Sequence, residues 1–231
     1  MKTIGLIGGL TWESTIEYYR IINEEVARRL GGVHSARILM HSFDFQDIDT
    51  PMLEGRWDEI GARVAEAATG LERQGADFLL ICSNTIHKVA NFASEAVSIP
   101  LLHLVDVTAS AVKVQGFSKV GLLGTIFTME QDFYKGRLAD LHGLEVLVPE
   151  KEDRDFVNRV IDEELTFGNI KETSRERFVG IIDGLASRGV QGVVLGCTEI
   201  PLLVRQSDTH VPVFDTTRLH SLAAVEESLK E

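Results

Sequence analysis

Two apolar runs in this chain end on short nucleophilic side chains. Phe78-Leu79-Leu80-Ile81-Cys82 leads into Ser83-Asn84-Thr85, and Val193-Val194-Leu195-Gly196 leads into Cys197-Thr198-Glu199. A thiol needs only a modest shift from about 8.5 to act as a base near neutral pH, whereas a serine hydroxyl can give a proton but its alkoxide lies far above neutrality. Proton transfer is the chemistry Cys197 suits, and Ser83 is an unequal counterpart. Adjacent strand residues face opposite sides, so Cys82 is expected in the core rather than beside Ser83.

Each candidate precedes a helix start. Asn84-Thr85 leads into Ile86, Val89, Ala90 and Ala93, and Thr198-Glu199 leads into Ile200-Pro201-Leu202. Asn and Thr are good caps and Pro suits a first turn. Helix N-termini favour a bound carboxylate and a nearby thiolate, so a lowered Cys197 pKa is expected. The glycines of Gly5-Leu6-Ile7-Gly8-Gly9 do not fit G-x-G-x-x-G, which argues against a dinucleotide site. They suit a tight turn that exposes backbone N–H groups beside Thr11 and Ser14, and Gly124-Thr125 with Thr128 repeats the arrangement. These hydroxyls suit either a substrate carboxylate or a helix cap. The histidines show no H-x-x-x-H spacing, the cysteines no C-x-x-C, and no G-x-S-x-G elbow is present, so neither a metal site nor a serine hydrolase is expected. His87, four residues after Ser83, reads either as a group orienting a hydroxyl or ligand or as a solvated helix-face histidine.

Aliphatic runs alternate with longer amphipathic segments, the pattern of an α/β protein with mostly parallel sheets. Ile4 to Ile7 reads as a first strand. Ser14 with Glu17 reads as a capping box opening a helix that buries Ile16, Tyr19, Val26 and Leu30 and stops at Gly31-Gly32. Ile60, Val64, Ala67 and Leu71 mark a second helix ended by Gly75. The segment Gly75 to Ile86 overlays Gly189 to Ile200 at an offset of about 114 residues. Ile4 to Gly9 overlays Val120 to Thr125, and Ile99 to Leu102 overlays Val211 to Phe214, at nearly the same offset and in the same order. This overlay sets Cys197 against Ser83, not Cys82. Two pseudo-symmetric lobes are expected, each a mostly parallel sheet flanked by helices, with the active site in the cleft between them at the carboxyl ends of the strands. The first lobe is assigned residues 1–102 plus 213–231 and the second 103–212, with a last helix from about Leu219 to Leu229 returning to the first.

The chain has 231 residues, 44% hydrophobic and 25% charged, with 23 Lys and Arg against 35 Asp and Glu for a net charge of −12. That balance disfavours nucleic acid, and the composition is that of a globular protein. No apolar run approaches the roughly 18 residues of a membrane span, and the residues after Met1-Lys2 do not read as a secretory signal, so a cytoplasmic location with free thiols is expected. The charged stretch Glu150 to Asp155 reads as a solvated helix start.

Taken together, Gly5 to Thr15, Ser83-Asn84-Thr85-Ile86-His87-Lys88, Gly124-Thr125 with Thr128-Met129-Glu130, and Gly196-Cys197-Thr198-Glu199-Ile200 resemble the aspartate/glutamate racemases along the whole chain, in particular the branch acting on both amino acids. The resemblance implies an enzyme without cofactor, independent of pyridoxal phosphate and usually a homodimer, that holds a dicarboxylic amino acid between two cysteines on opposite faces of its α-carbon. By motif, Cys197 matches one acid/base. Asn84, Thr85, Thr125, Thr128, Thr198 and Glu199 match substrate contacts, and the turn containing Leu10 and Thr11 matches a carboxylate-binding loop. The other acid/base position is Ser83, a departure from the pattern. A basic or amide side chain that many relatives carry between Asp49 and Glu54 is absent, with Met52 as its counterpart.

A serine opposite a cysteine predicts slow racemisation in both directions, since the enantiomers are equal in energy and microscopic reversibility carries one penalty into both. Ser83 would end a turnover as an alkoxide unless water or His87 relays a proton to it. Two other functions fit a single thiol: decarboxylation of a malonate-type diacid with Cys197 as the sole proton donor, and binding of an amino acid with little or no turnover.

Overall fold

The computed structural model describes residues 1–230. The chain forms two compact units, one of Met1–Leu104 with the chain from His220 onward, the other of Val105–Leu219.

The first unit runs β1 (Ile4–Gly8), α1 (Trp12–Leu30), β2 (Ile38–Ser42), α2 (Gln46–Leu53), α3 (Trp57–Arg73), β3 (Phe78–Ile81), a 3-10 turn (Thr85–Val89) and α4 (Ala90–Ala96). Its sheet has the order β2-β1-β3, all parallel. β1 and β3 are buried along their whole length, as strands covered on both faces must be, so they read in sequence as unbroken apolar runs. The α3 helix buries the expected Ile60, Val64, Ala67 and Leu71, with Gly61 packed so closely on Phe92 that a Cβ there would lie 2.6 Å from the ring. Gly75 ends the segment at φ +96.

The first helix departs from its expected form. It begins at Trp12 rather than Ser14, and it buries Ser14, Thr15, Tyr18, Ile21, Ile22 and Val26. Trp12, Ile16 and Tyr19 are instead 63%, 50% and 52% exposed. At its first turn the inward face is set by close approach to the end of β1, which favours small side chains: a Cβ on Gly8 would lie 2.6 Å from the Thr15 methyl. No capping box forms. Ser14 Oγ donates instead to the carbonyl of Thr11.

The second unit runs from Val105 in α5 (Leu104–Val114) through β4 (Lys119–Gly124), α6 (Ile126–Glu130), α7 (Asp132–Asp140), β5 (Glu145–Leu147), α8 (Lys151–Glu163), α9 (Glu172–Ser187), β6 (Gly192–Gly196), α10 (Ile200–Leu203) and β7 (Val213–Asp215) to Leu219 in α11 (Thr216–Ser228), whose remainder belongs to the first. Its parallel sheet has the order β5-β4-β6-β7. Because β7 pairs with β6, residues 213–219 stay with the second unit, and the chain rejoins the first at His220 rather than at 213. The end of α11 is tied there by Lys2 N–H donating to Ser228 O and by the Lys2–Glu227 ion pair.

The internal repeat is a repeat of register. Ile7 pairs with Ile81 in the first sheet, and Leu123 pairs with Leu195 in the second. One residue on, Cys82 N–H still donates to Ile7 O, while Gly196 is still paired with Gly124. Ser83 and Cys197 therefore hold equivalent positions, each two residues past these pairs, with Cys82 and Gly196 between.

Candidate active site

In the first unit Cys82 is completely buried among Ile4, Leu6, Tyr18 and Leu80, and burial pushes its thiol pKa up. Ser83 is 8% exposed. Its hydroxyl accepts from the Ile86 N–H at 3.4 Å, so Ser83 Oγ caps the following 3-10 turn. His87 is buried, not solvated. The Leu104 N–H donates to its Nε2 at 3.2 Å, which makes Nε2 the bare nitrogen, and Nδ1–H donates to the Ser83 carbonyl at 2.6 Å. Neither nitrogen bonds Ser83 Oγ. A direct relay from His87 to that hydroxyl is thus not built into this arrangement, and the ring orients the Ser83 main chain instead.

The loop after β1 is fastened to the same place. Gly9 has φ +72, and a Cβ there would lie 2.2 Å from Phe43 O, so glycine is required. Its N–H donates to Thr15 Oγ1 at 2.9 Å, so this donor points into the fold rather than outward as expected. Thr11 is the N-cap residue of α1, and its carbonyl accepts from Ser14 Oγ and Thr15 Oγ1. Ser14 Oγ also lies 3.4 Å from the Cys82 carbonyl, which links Thr11 through one hydroxyl to the residue before Ser83. Leu10 sends its side chain into the core, so its main chain is the part it can offer a ligand. Asn84 and Thr85 are buried at the start of the 3-10 turn. Met52, at the end of α2, packs on the same core cluster as Trp57. The half-buried ammonium of Lys88 sits 3.8 Å over the Trp57 ring, and burial lowers its pKa. No role for this cation follows from the sequence. Its signal was only a lysine five residues past Ser83.

In the second unit the glycines at the strand ends permit a backbone approach that side chains would block: a Cβ on Gly124 would lie 2.7 Å from Gly196 O. Thr128 is fully buried with its methyl against both glycines. Thr125 caps α6, its Oγ1 accepting from the Thr128 N–H at 3.3 Å and donating to Thr128 Oγ1 at 3.2 Å.

Cys197 is 6% exposed, and its thiol donates to Glu199 Oε2 at 2.9 Å. Thr198 Oγ1 donates to the same oxygen at 2.7 Å. The expected lowering of the Cys197 pKa is reversed here. Burial raises it well above the ordinary value, and the Glu199 carboxylate raises it further. The helix that was to favour the thiolate, α10, is only 4 residues long and supplies little field. Cys197 in this arrangement is a thiol.

Among the described residues, no three His, Cys, Asp or Glu side chains gather to hold a metal, and no helix is long and apolar enough to cross a membrane. Comparison with known proteins places this geometry. The family model for Asp/Glu/hydantoin racemases matches residues 7–224. A Yersinia pestis structure described as that of a candidate Asp/Glu racemase is 50% identical, with a TM-score of 0.94 and both chains covered in full. An aspartate racemase homologue from Pyrococcus horikoshii OT3 is 38% identical, with a TM-score of 0.86 and the same coverage. A glutamate racemase of Exiguobacterium sibiricum is 30% identical over 183 residues, which is 75% of this chain and 66% of that protein. Two α/β units, each a parallel sheet flanked by helices, are the fold these racemase structures share. The chain belongs to the Asp/Glu/hydantoin racemase family.

Proposed function

We propose that this protein interconverts the enantiomers of aspartate, glutamate or both without a cofactor, by proton transfer on the two faces of the α-carbon. The observation that carries the reading is the equivalent placement of Ser83 and Cys197, each two residues beyond a matched pair with the central strand, Ile7 with Ile81 in the first unit and Leu123 with Leu195 in the second. Cys197, as thiolate, removes the α-proton and leaves its electron pair on carbon. Ser83 donates its hydroxyl proton to the far face. The hydroxyl proton is then restored from water, since both His87 nitrogens are engaged elsewhere. Slow exchange in both directions follows, because the alkoxide step is met in either sense.

Stabilising the developing negative charge at carbon falls to donors already held in place. Asn84, Thr85, Thr125, Thr128 and Thr198 are the candidates, with the loop of Leu10 and Thr11 for the α-carboxylate and the segment around Met52 for the side-chain end. A homodimer is part of this reading, and the exposed Trp12, Ile16 and Tyr19 support it as one helical stripe. A cytoplasmic enzyme with free thiols fits the two unpaired cysteines.

A second reading is favoured by one observation. Cys197 Sγ lies at hydrogen-bond distance from Glu199 Oε2 and burial raises its pKa, which suits an acid better than a base. Decarboxylation of a malonate-type diacid needs only such an acid. Incubating the purified protein with L-aspartate, L-glutamate and a substituted malonate, with chiral chromatography and carbon dioxide detection, separates the two. The D-amino acid is the expected product, carbon dioxide alone would transfer the assignment to the decarboxylase, and binding without either product would leave an amino-acid binder.

A further inference from the structure

Lys88 stands on the 3-10 turn that follows Ser83. Ile86 N–H donates to Ser83 Oγ and His87 Nδ1 to the Ser83 carbonyl, so the turn carrying Lys88 is fastened to Ser83 at both its hydroxyl and its main chain. The ammonium lies 3.8 Å over the Trp57 ring. Trp57 opens α3, which runs back to the amino end of β3 and therefore begins on the side of the parallel sheet where the strands end. Lysine, ring and Ser83 thus share the end of the first unit at which an α/β fold binds its ligands.

What this ammonium lacks is a counter-charge. Its neighbours have theirs, since Arg56 pairs with Glu54 and Glu59, and Arg63 with Glu59 and Asp47. Lys88 forms no ion pair with any described residue. An ammonium carries three donors and the ring face takes one side of it, while partial burial withholds water from the rest and lowers its pKa. A cation held in that state gains more from an arriving anion than a fully solvated one does.

We infer that Lys88 binds the side-chain carboxylate of the substrate and so selects dicarboxylic amino acids over neutral ones. The inference rests on the proposed action on aspartate or glutamate and names the group that recognises their extra charge. Every amino acid brings an α-carboxylate, which falls to the loop of Leu10 and Thr11; the second carboxylate needs a cation of its own. Met52 packs on the same cluster as Trp57, which sets apolar surface beside the ammonium for the substrate methylenes. The flexible four-carbon stem of lysine reaches a carboxylate one or two methylenes from the α-carbon, so both aspartate and glutamate are served.

The test titrates the full chain with L-aspartate, L-glutamate and L-asparagine by calorimetry and follows α-proton exchange of each in deuterium oxide. Asparagine has the shape of aspartate without the second charge. The parent should bind aspartate at least about tenfold more tightly than asparagine. Lys88→Met keeps the stem and removes the ammonium, so it should lose at least about tenfold in affinity for aspartate and for glutamate, and less than about threefold for asparagine. In exchange the loss should fall on KM with kcat little changed, because the contact is made equally before and during proton transfer. A parent without preference for aspartate over asparagine overturns the assignment, and so does a smaller loss in Lys88→Met or an equal loss for asparagine. Should Lys88→Met fail to fold, Lys88→Gln decides by the same ratios. A parent that binds aspartate without exchanging its α-proton would sink the racemase reading alone, since the calorimetric ratios still report which carboxylate meets Lys88.

Discussion

The carbonyl of Ser83 accepts a 2.6 Å hydrogen bond from His87 Nδ1, so the histidine serves the serine's main chain and not its hydroxyl. With Leu104 N–H on the opposite ring nitrogen, the imidazole is a bridge between the end of β3 and the start of α5. Replacing it by alanine strands a buried donor and a buried acceptor, which costs about 2–4 kcal/mol. Urea unfolding of His87→Ala should show that loss. A variant within about 0.5 kcal/mol of the parent would contradict the bridging role.

Ser83→Cys should speed racemisation in both directions by at least about tenfold, because a thiol can return to its resting state near neutral pH where an alkoxide cannot. The measurement is the initial rate from each enantiomer. A folded variant with an unchanged or lower rate would count against the inequality of the two positions.

Gly196→Ala should destabilise the second unit by about 1–3 kcal/mol, as overpacking does. A Cβ there would lie 2.9 Å from the Leu122 side chain and 3.0 Å from the Leu123 carbonyl, and the latter is backbone that cannot step aside. Thermal unfolding with the same midpoint as the parent would show that the strand ends have more room than this.

His220 supplies a pH dependence of stability. It is fully buried, accepts from Tyr18 OH through Nδ1 and donates through Nε2 to Leu102 O, and burial followed by the field of His87 lowers its pKa to about 3. The folded pKa lies below the unfolded value of 6.5, so unfolding takes up a proton between the two. Its contribution is complete above pH 6.5 and is lost as the pH falls towards 3, by about 1.4 kcal/mol per pH unit within that window. Denaturation at pH 7 and pH 5 should give a steeper fall for the parent than for His220→Gln, and equal slopes would contradict the buried neutral ring.

Much of this was legible in sequence where one physical effect dominated. The buried strands were visible as apolar runs, α3 as an amphipathic period, and the two units as a repeat whose offset survives in the pairing of Ile7 with Ile81 and Leu123 with Leu195. The face of α1 was not, because close backbone approach at Gly8 selects Ser14 and Thr15 for the interior over the larger Ile16 and Tyr19. The assignment of residues 213–219 depended on the pairing of β7, which composition does not determine. The state of Cys197 was not legible, because a carboxylate two residues on folds back onto the sulfur and outweighs the field of the short helix that follows.

On the proposed function, Cys197 exchanges the α-proton of a dicarboxylic amino acid. Incubating L-aspartate and L-glutamate with the protein in deuterium oxide and following loss of the α-proton signal measures this step whether or not inversion completes. The parent should exchange with no added cofactor while a folded Cys197→Ala should not, and exchange at the parent rate in that variant would remove Cys197 from the reaction.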